Sequence, residues 1–126
     1  MIYLHFQQVY CLQVYEAYKN TDTKVIAISP FDPLSSSPKS NNLGVIGIRD
    51  TLKAACLSYR WGFIDIIDGI TYDGIGNVVQ DSSSTLGGMF DDGRRATMNF
   101  DGTHPNELGH NYIGYRVSEE MRRLLN

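Results

Sequence analysis

No apolar run in this sequence approaches the ~18 residues that a membrane span needs. Its opening stretch, Met1-Ile2-Tyr3-Leu4-His5-Phe6-Gln7-Gln8, has neither the basic start nor the small-residue cleavage site of a signal peptide. The expectation is a soluble chain without a membrane span, whose compartment is unknown from sequence. Cysteine is scarce. Cys11 and Cys56 are the two present, too few for a secreted disulfide framework. Both sit among apolar residues in segments of helical spacing, so buried free thiols are expected. Positive charge is also short, with 11 Lys and Arg against 14 Asp and Glu and a net charge of −3. That balance argues against a nucleic-acid partner, which leaves a basic stripe. The pairs Arg94-Arg95 and Arg122-Arg123 read as solvated surface.

What is present is ordinary for a globular protein: 42% hydrophobic and 20% charged residues in 126, one domain at most or a piece of one. Residues 4–19 have helical spacing, with Leu4, Cys11, Val14, Tyr15 and Tyr18 on one side. Asn20-Thr21-Asp22 reads as its stop. The run Lys24–Ser29 is short, apolar and β-branched, as in a strand buried on both faces of a parallel sheet. Residues 30–42 carry three prolines and many small polar residues and read as a loop. Its Ser35, Ser36 and Ser37 lack the glycine-flanked turn of a nucleophile.

Residues 43–60 repeat apolar positions at three and four (Val45, Ile48, Leu52, Ala55, Cys56, Tyr59), a helix laid on a sheet. Phe63–Asp68 is the second strand, and it carries Asp65 and Asp68. A carboxylate at the C-terminal end of a parallel strand is a common place for chemistry. The alternative is that Asp68 caps a turn with Gly69. Residues 69–100 have no helical period and are rich in glycine, a long loop or lid-like insertion, with Tyr72–Val79 able to form a small hairpin. Residues 105–125 form the last helix, with Pro105 in its first turn and Ile113, Val117, Met121 and Leu124 as its buried stripe; Leu108, Tyr112 and Tyr115 cluster near its start. The alternation of helices and strands predicts an α/β fold with a parallel sheet. Two doubly buried strands also need neighbours, which points to a partner chain, a homo-oligomer or a truncated domain.

The loop before the last helix carries Asp101-Gly102-Thr103-His104-Pro105-Asn106. A carboxylate that fixes a histidine's tautomer and stabilises its imidazolium makes that histidine a general base. The bland reading is a turn at Asp101-Gly102 with Thr103 capping the helix. A metal set of Asp101, His104 and His110 is disfavoured, because a six-residue step puts the two histidines on opposite sides of a helix. His5 reads as surface. No metal and no cofactor is expected.

The block Asn99–Tyr115 resembles the final block of the SGNH (GDSL-type) esterase and lipase family. There an Asp-x-x-His-Pro loop supplies two triad members and leads into a helix with an early polar residue and a glycine, here Asn106 and Gly109. The order before it is similar to that family's C-terminal half: helix, strand ending in Ser29-Pro30, helix, strand with Asp, loop. The resemblance implies His104 as catalytic base and Asp101 as the residue that orients it. It implies a partial three-layer α/β/α fold of parallel strands, SGNH- or flavodoxin-like, without its N-terminal strands. No Gly-Asp-Ser supplies the nucleophile, and no Gly-x-Asn-Asp completes the oxyanion hole. Residues 1–126 would then be the C-terminal part of one SGNH hydrolase domain, acting on lipid, acyl or O-acetyl carbohydrate esters once completed by an upstream half-domain. Alone, it should be inactive. The alternative is a non-catalytic binding or assembly module that keeps the fold.

Overall fold

A computed structural model describes residues 2–31, 43–80 and 104–125 of the chain. Helix α1 spans Ile2–Tyr18 and ends where the Thr21 amide and hydroxyl both donate to the Tyr18 carbonyl, at 3.1 and 2.8 Å. Strand β1 is Ile26–Ile28, helix α2 is Leu43–Tyr59 and strand β2 is Gly62–Asp65. Strands β3 (Ile70–Tyr72) and β4 (Val78–Gln80) follow, and helix α3 is Glu107–Leu125.

The sheet has the order β1-β2-β3-β4, with β1 and β2 parallel and the other neighbours antiparallel. The fold is therefore mixed α/β, and the expected all-parallel sheet is corrected. The correction comes from the glycine-rich segment after Gly69, whose first part is a hairpin. Its turn is organised by Asp73, whose Oδ1 accepts the Ile75 and Asn77 amides, each at 2.9 Å. Those amides, Ile75 first, hold the Asp73 carboxyl below its usual range. Residues 81–100, the rest of the expected loop or lid-like insertion, lie outside the described residues.

Strand alternation sorts the core into two clusters. Ala27, Phe63 and Tyr72 share the face covered by α1 and α2, where Cys11, Cys56 and Trp61 are buried with them. Both cysteines are free. Ile26 and Ile64 point to the other face, where Tyr112, Ile113 and Leu124 of α3 pack. α3 approaches closely at Gly62, where a Cβ would stand 3.0 Å from the Leu124 side chain. Fully burying one such aliphatic or aromatic side chain contributes roughly 1.5–3 kcal/mol.

Three expectations change. β1 is not doubly buried: among the described residues it is an edge strand, and Ile28 is 39% exposed. β2 ends at Asp65 rather than Asp68, for a reason given below. The stripe of α3 is also different. Its buried residues are Gly109, Tyr112, Arg116 and Glu120, whereas Met121, Leu108 and Tyr115 are exposed and Ile113, Val117 and Leu124 are half-buried. Periodicity located the helix but picked a neighbouring face, because two of the deepest positions are charged.

α2 ends in a Schellman motif. The Trp61 amide donates to the Cys56 carbonyl at 2.8 Å, and Arg60 takes φ 61°. Glycine is the usual residue there, and a side chain in that left-handed region costs on the order of 1 kcal/mol.

Candidate functional site

Asp65 closes β2 through its own side chain. Its Oδ1 accepts the amides of Ile67 (2.9 Å) and Asp68 (3.1 Å), and the Gly69 amide donates to its carbonyl at 2.9 Å. A carboxylate that captures the next amides competes with the strand ladder, so the chain turns over residues 66–69. Gly69 supplies the positive φ of 74°. The cap expected of Asp68 thus belongs to Asp65.

The other oxygen of Asp65 accepts Arg49 Nη1 at 2.8 Å, and the same nitrogen donates to Asp68 Oδ2 at 2.8 Å. Arg49 Nε reaches Asp50 Oδ1 at 2.6 Å. Burial opposes the Arg49 cation, but Asp65, Asp68 and Asp50 outweigh it and raise its pKa. Burial pushes the Asp65 carboxyl up, against the Asp68 amide and Arg49, which pull it down. The arrangement is a clamp. Both oxygens of Asp65 serve a turn and a guanidinium and the residue is 2% exposed, so Asp65 reads as structural.

α3 grips the same turn from the opposite face. The Tyr112 hydroxyl donates to the Ile66 carbonyl at 3.0 Å, and Arg116 Nη2 donates to the Gly69 carbonyl. Arg116 is fully buried. The residue that follows β1 joins them: Ser29 Oγ accepts the Ile66 amide at 2.9 Å and donates to the Pro30 carbonyl at 3.4 Å. Ser29 is 4% exposed, so it ties β1 to the turn and is not presented as a nucleophile.

These contacts fix the direction of α3. Tyr112 meets the C-terminal end of β2, and Leu124 meets its start at Gly62. α3 therefore runs antiparallel to β1 and β2, and its first residues lie beyond the strands' C-terminal ends. Glu107 precedes Tyr112 by about 7–8 Å of helix. The helix is capped by Asn106, whose Oδ1 accepts the Gly109 amide at 2.9 Å. Pro105 stands just outside the helix rather than in its first turn. A proline forming that turn would leave Asn106 no place to cap.

His104 is two residues before this cap and is exposed. Asp101, Thr103 and Ser35–Ser37 lie outside the described residues. His110 is exposed on α3. No group of three or more metal-ligating side chains occurs among the described residues. No helix among them is long and apolar enough to cross a membrane.

The sequence reading missed Arg49, Tyr112 and Arg116 as partners of the β2 terminus and its following turn, and Glu120 as a buried residue of α3. A signal existed for Arg49. It lies three before Leu52 and seven before Cys56, on the apolar stripe itself, in a chain whose second strand carries two aspartates. Comparison of the chain with protein-family models, with curated proteins and with solved structures gives no match.

Proposed function

We propose that this chain is the C-terminal portion of an SGNH-type serine esterase, with His104 as general base and Asp101 as the residue that orients it. The observation that carries the reading is the position of His104. It lies three residues before α3, whose start lies beyond the C-terminal ends of the parallel pair β1 and β2. In open α/β sheets that end is where ligands bind. Helices on both faces of the sheet support the α/β/α layering of that family. Among the described residues no strand lies on the outer edge of β1, which leaves a place for further strands.

In this reading the serine and the oxyanion donors come from a segment outside these 126 residues. His104 takes the serine proton as the ester carbonyl is attacked and returns it to the leaving alcohol. Loss of a triad serine costs on the order of a millionfold in turnover, so the chain alone is inactive. The substrate class is an ester of a lipid, another acyl group or an O-acetylated carbohydrate.

Hydrolysis of p-nitrophenyl acetate is the test, with the chain alone and joined to the segment encoded upstream. The joined protein should turn over, and His104→Ala should reduce it to background. An inactive joined protein, or an active one indifferent to His104→Ala, overturns the reading and leaves a binding or assembly module.

A further inference from the structure

We infer that the outer edge of β1 is the seat of a fifth strand, parallel to β1 and joined directly to the start of α1. This strand rests on the proposed reading for one point, that a further segment precedes these 126 residues. Its direction and its side of the sheet follow from the chain itself.

The edge is suited to pairing. β1 stands at one end of the sheet among the described residues. The Ser29 amide donates to the Ile64 carbonyl at 2.9 Å, and the Gly62 amide donates to the Val25 carbonyl at 3.3 Å. Alternation then turns both backbone groups of Ala27 towards β2 and those of Ile26 and Ile28 away from it. Proline, lysine or a bulge ordinarily blunts such an edge, and Ile26-Ala27-Ile28 has none of them. At the opposite edge the ladder of β3 and β4 shifts register between Thr71 and Tyr72.

α1 overhangs this edge. Tyr10, Cys11 and Val14 of α1 line a cavity of about 640 Å³ with Val25, Ile26 and Ala27 of β1, and no charged side chain lines it among the described residues. Tyr10 is 67% exposed, a large ring surface beside unpaired backbone. A strand hydrogen-bonded to Ile26 and Ile28 would send every second side chain into that cavity, which calls for aliphatic residues at those positions.

The direction of α1 selects the occupant. Tyr18, its last residue, and Lys19 share a cleft with Lys24 and Gly62 at the start of the strands. α2 ends there too, since Tyr59 stacks on Tyr15 with centroids 4.5 Å apart. Val9 and Asp50, earlier in the two helices, share a groove, and Arg49 reaches the far end of β2 at Asp65. α1 and α2 therefore run side by side, antiparallel to β1 and β2, over the face of Ala27 and Phe63. A strand that enters α1 by a short connection ends where the C-terminal ends of β1 and β2 lie, so it is parallel to them. Strand–helix–strand crossovers of this kind are right-handed in about 98% of cases. α2 carries the chain from β1 to β2 over this face. α1, on the same face and of the same hand, carries it one step in the same direction. The strand before α1 then lies on the side of β1 away from β2, which is the open edge.

Residue-resolved hydrogen exchange by NMR tests this, on the chain alone and on the chain joined to the segment encoded upstream. In the chain alone the Ala27 amide should be protected, and those of Ile26 and Ile28 should exchange roughly tenfold faster or more. In the joined protein the three should exchange within about threefold of one another. Ile28→Pro removes an outward donor that an edge strand can spare. It should move the thermal midpoint of the chain alone by no more than about 2 °C and lower that of the joined protein by about 4 °C or more. Fast exchange at Ile26 and Ile28 in the joined protein overturns the strand by itself, whatever the chain alone does. So does protection of both amides in the chain alone, where its own residues or a second copy would hold the edge, and so does an equal cost of Ile28→Pro in both proteins. Turnover is read separately. An inactive joined protein with both amides slow keeps the strand and loses the esterase, and an active one with both amides fast does the reverse.

Discussion

Replacing Arg49 by methionine tests the clamp at the end of β2. Methionine keeps much of the stem's apolar volume, so the loss is mainly electrostatic. The change removes three hydrogen bonds, those of 2.8 Å to Asp65 and Asp68 and that of 2.6 Å to Asp50, with the cation they share. It leaves the carboxylate of Asp65, 2% exposed, without the cation that it shares with Asp68, whose side chain is 20% exposed. Breaking a buried ion pair from one side costs about 3–5 kcal/mol. A domain of this size has about 5–15 kcal/mol in total. Urea denaturation followed by fluorescence of Trp61, the one tryptophan, gives the measurement.

Asp65→Asn added to Arg49→Met should recover a substantial part of the loss. It removes one orphaned charge and keeps an oxygen for the Ile67 and Asp68 amides. The pH dependence has a definite sign. Burial raises the folded pKa of Asp65 above its usual 3.8, so the native state holds the proton more tightly than the unfolded chain. Its contribution is most favourable below that usual value and is lost as pH rises through the folded pKa. Removing Arg49 widens this window. The cost of Arg49→Met should therefore shrink as pH is lowered from neutral towards 4. A cost below about 1 kcal/mol, or strictly additive effects in the double variant, would refute the clamp.

Two other outcomes are expected. Asn106→Ala should destabilise by about 1 kcal/mol in thermal unfolding, with Asn106→Asp retaining most of the stability, because the Gly109 amide needs a side-chain acceptor. Burial pushes the Cys56 thiol up to about 12. In the folded chain it should resist a thiol reagent at about pH 8 and react only on unfolding, and stability should fall as pH rises from the ordinary thiol range towards 12.

Much of the fold was legible because its elements obey simple periods. α2 began where its three-and-four repeat began, and the Asp73-Gly74 and Gly76-Asn77 pairs marked a hairpin. The edge position of β1 was not legible: Val25, Ile26, Ala27 and Ile28 read as doubly buried, and pairing is a tertiary fact that composition does not carry. The end of β2 was hidden for a different reason. Phe63–Asp68 is uniformly strand-like, and only the capture of the next amides by Asp65 decides where it stops. On α3, the apolar residues Ile113, Val117 and Met121 defined a stripe, while Arg116 and Glu120 took the deepest positions. A pattern that scores charge as surface turns such a helix to the wrong face. The histidine loop was legible as an Asp-x-x-His spacing. Its placement beyond the strand ends required the direction of α3.

That direction follows from the same turn as the clamp. Residues 66–69 are held by Arg49 of α2 on one face and by Tyr112 and Arg116 of α3 on the other, with Ser29, just after β1, between. Hydrophobic contact alone would let α3 slide along the sheet by a turn at modest cost, since one half-buried aliphatic group replaces another. The hydroxyl and guanidinium contacts do not allow it. A slide of one turn would leave the Ile66 and Gly69 carbonyls unsatisfied and the Arg116 charge buried away from its acceptor, at several kcal/mol. The polar stripe on α3 thus sets register, and register sets how far the Asn106 cap and His104 stand from the strand ends. A catalytic base needs placement to within about half an ångström. On this argument Tyr112 and Arg116 set where the start of α3 stands, which explains why a helix with apolar residues to spare turns an arginine inward.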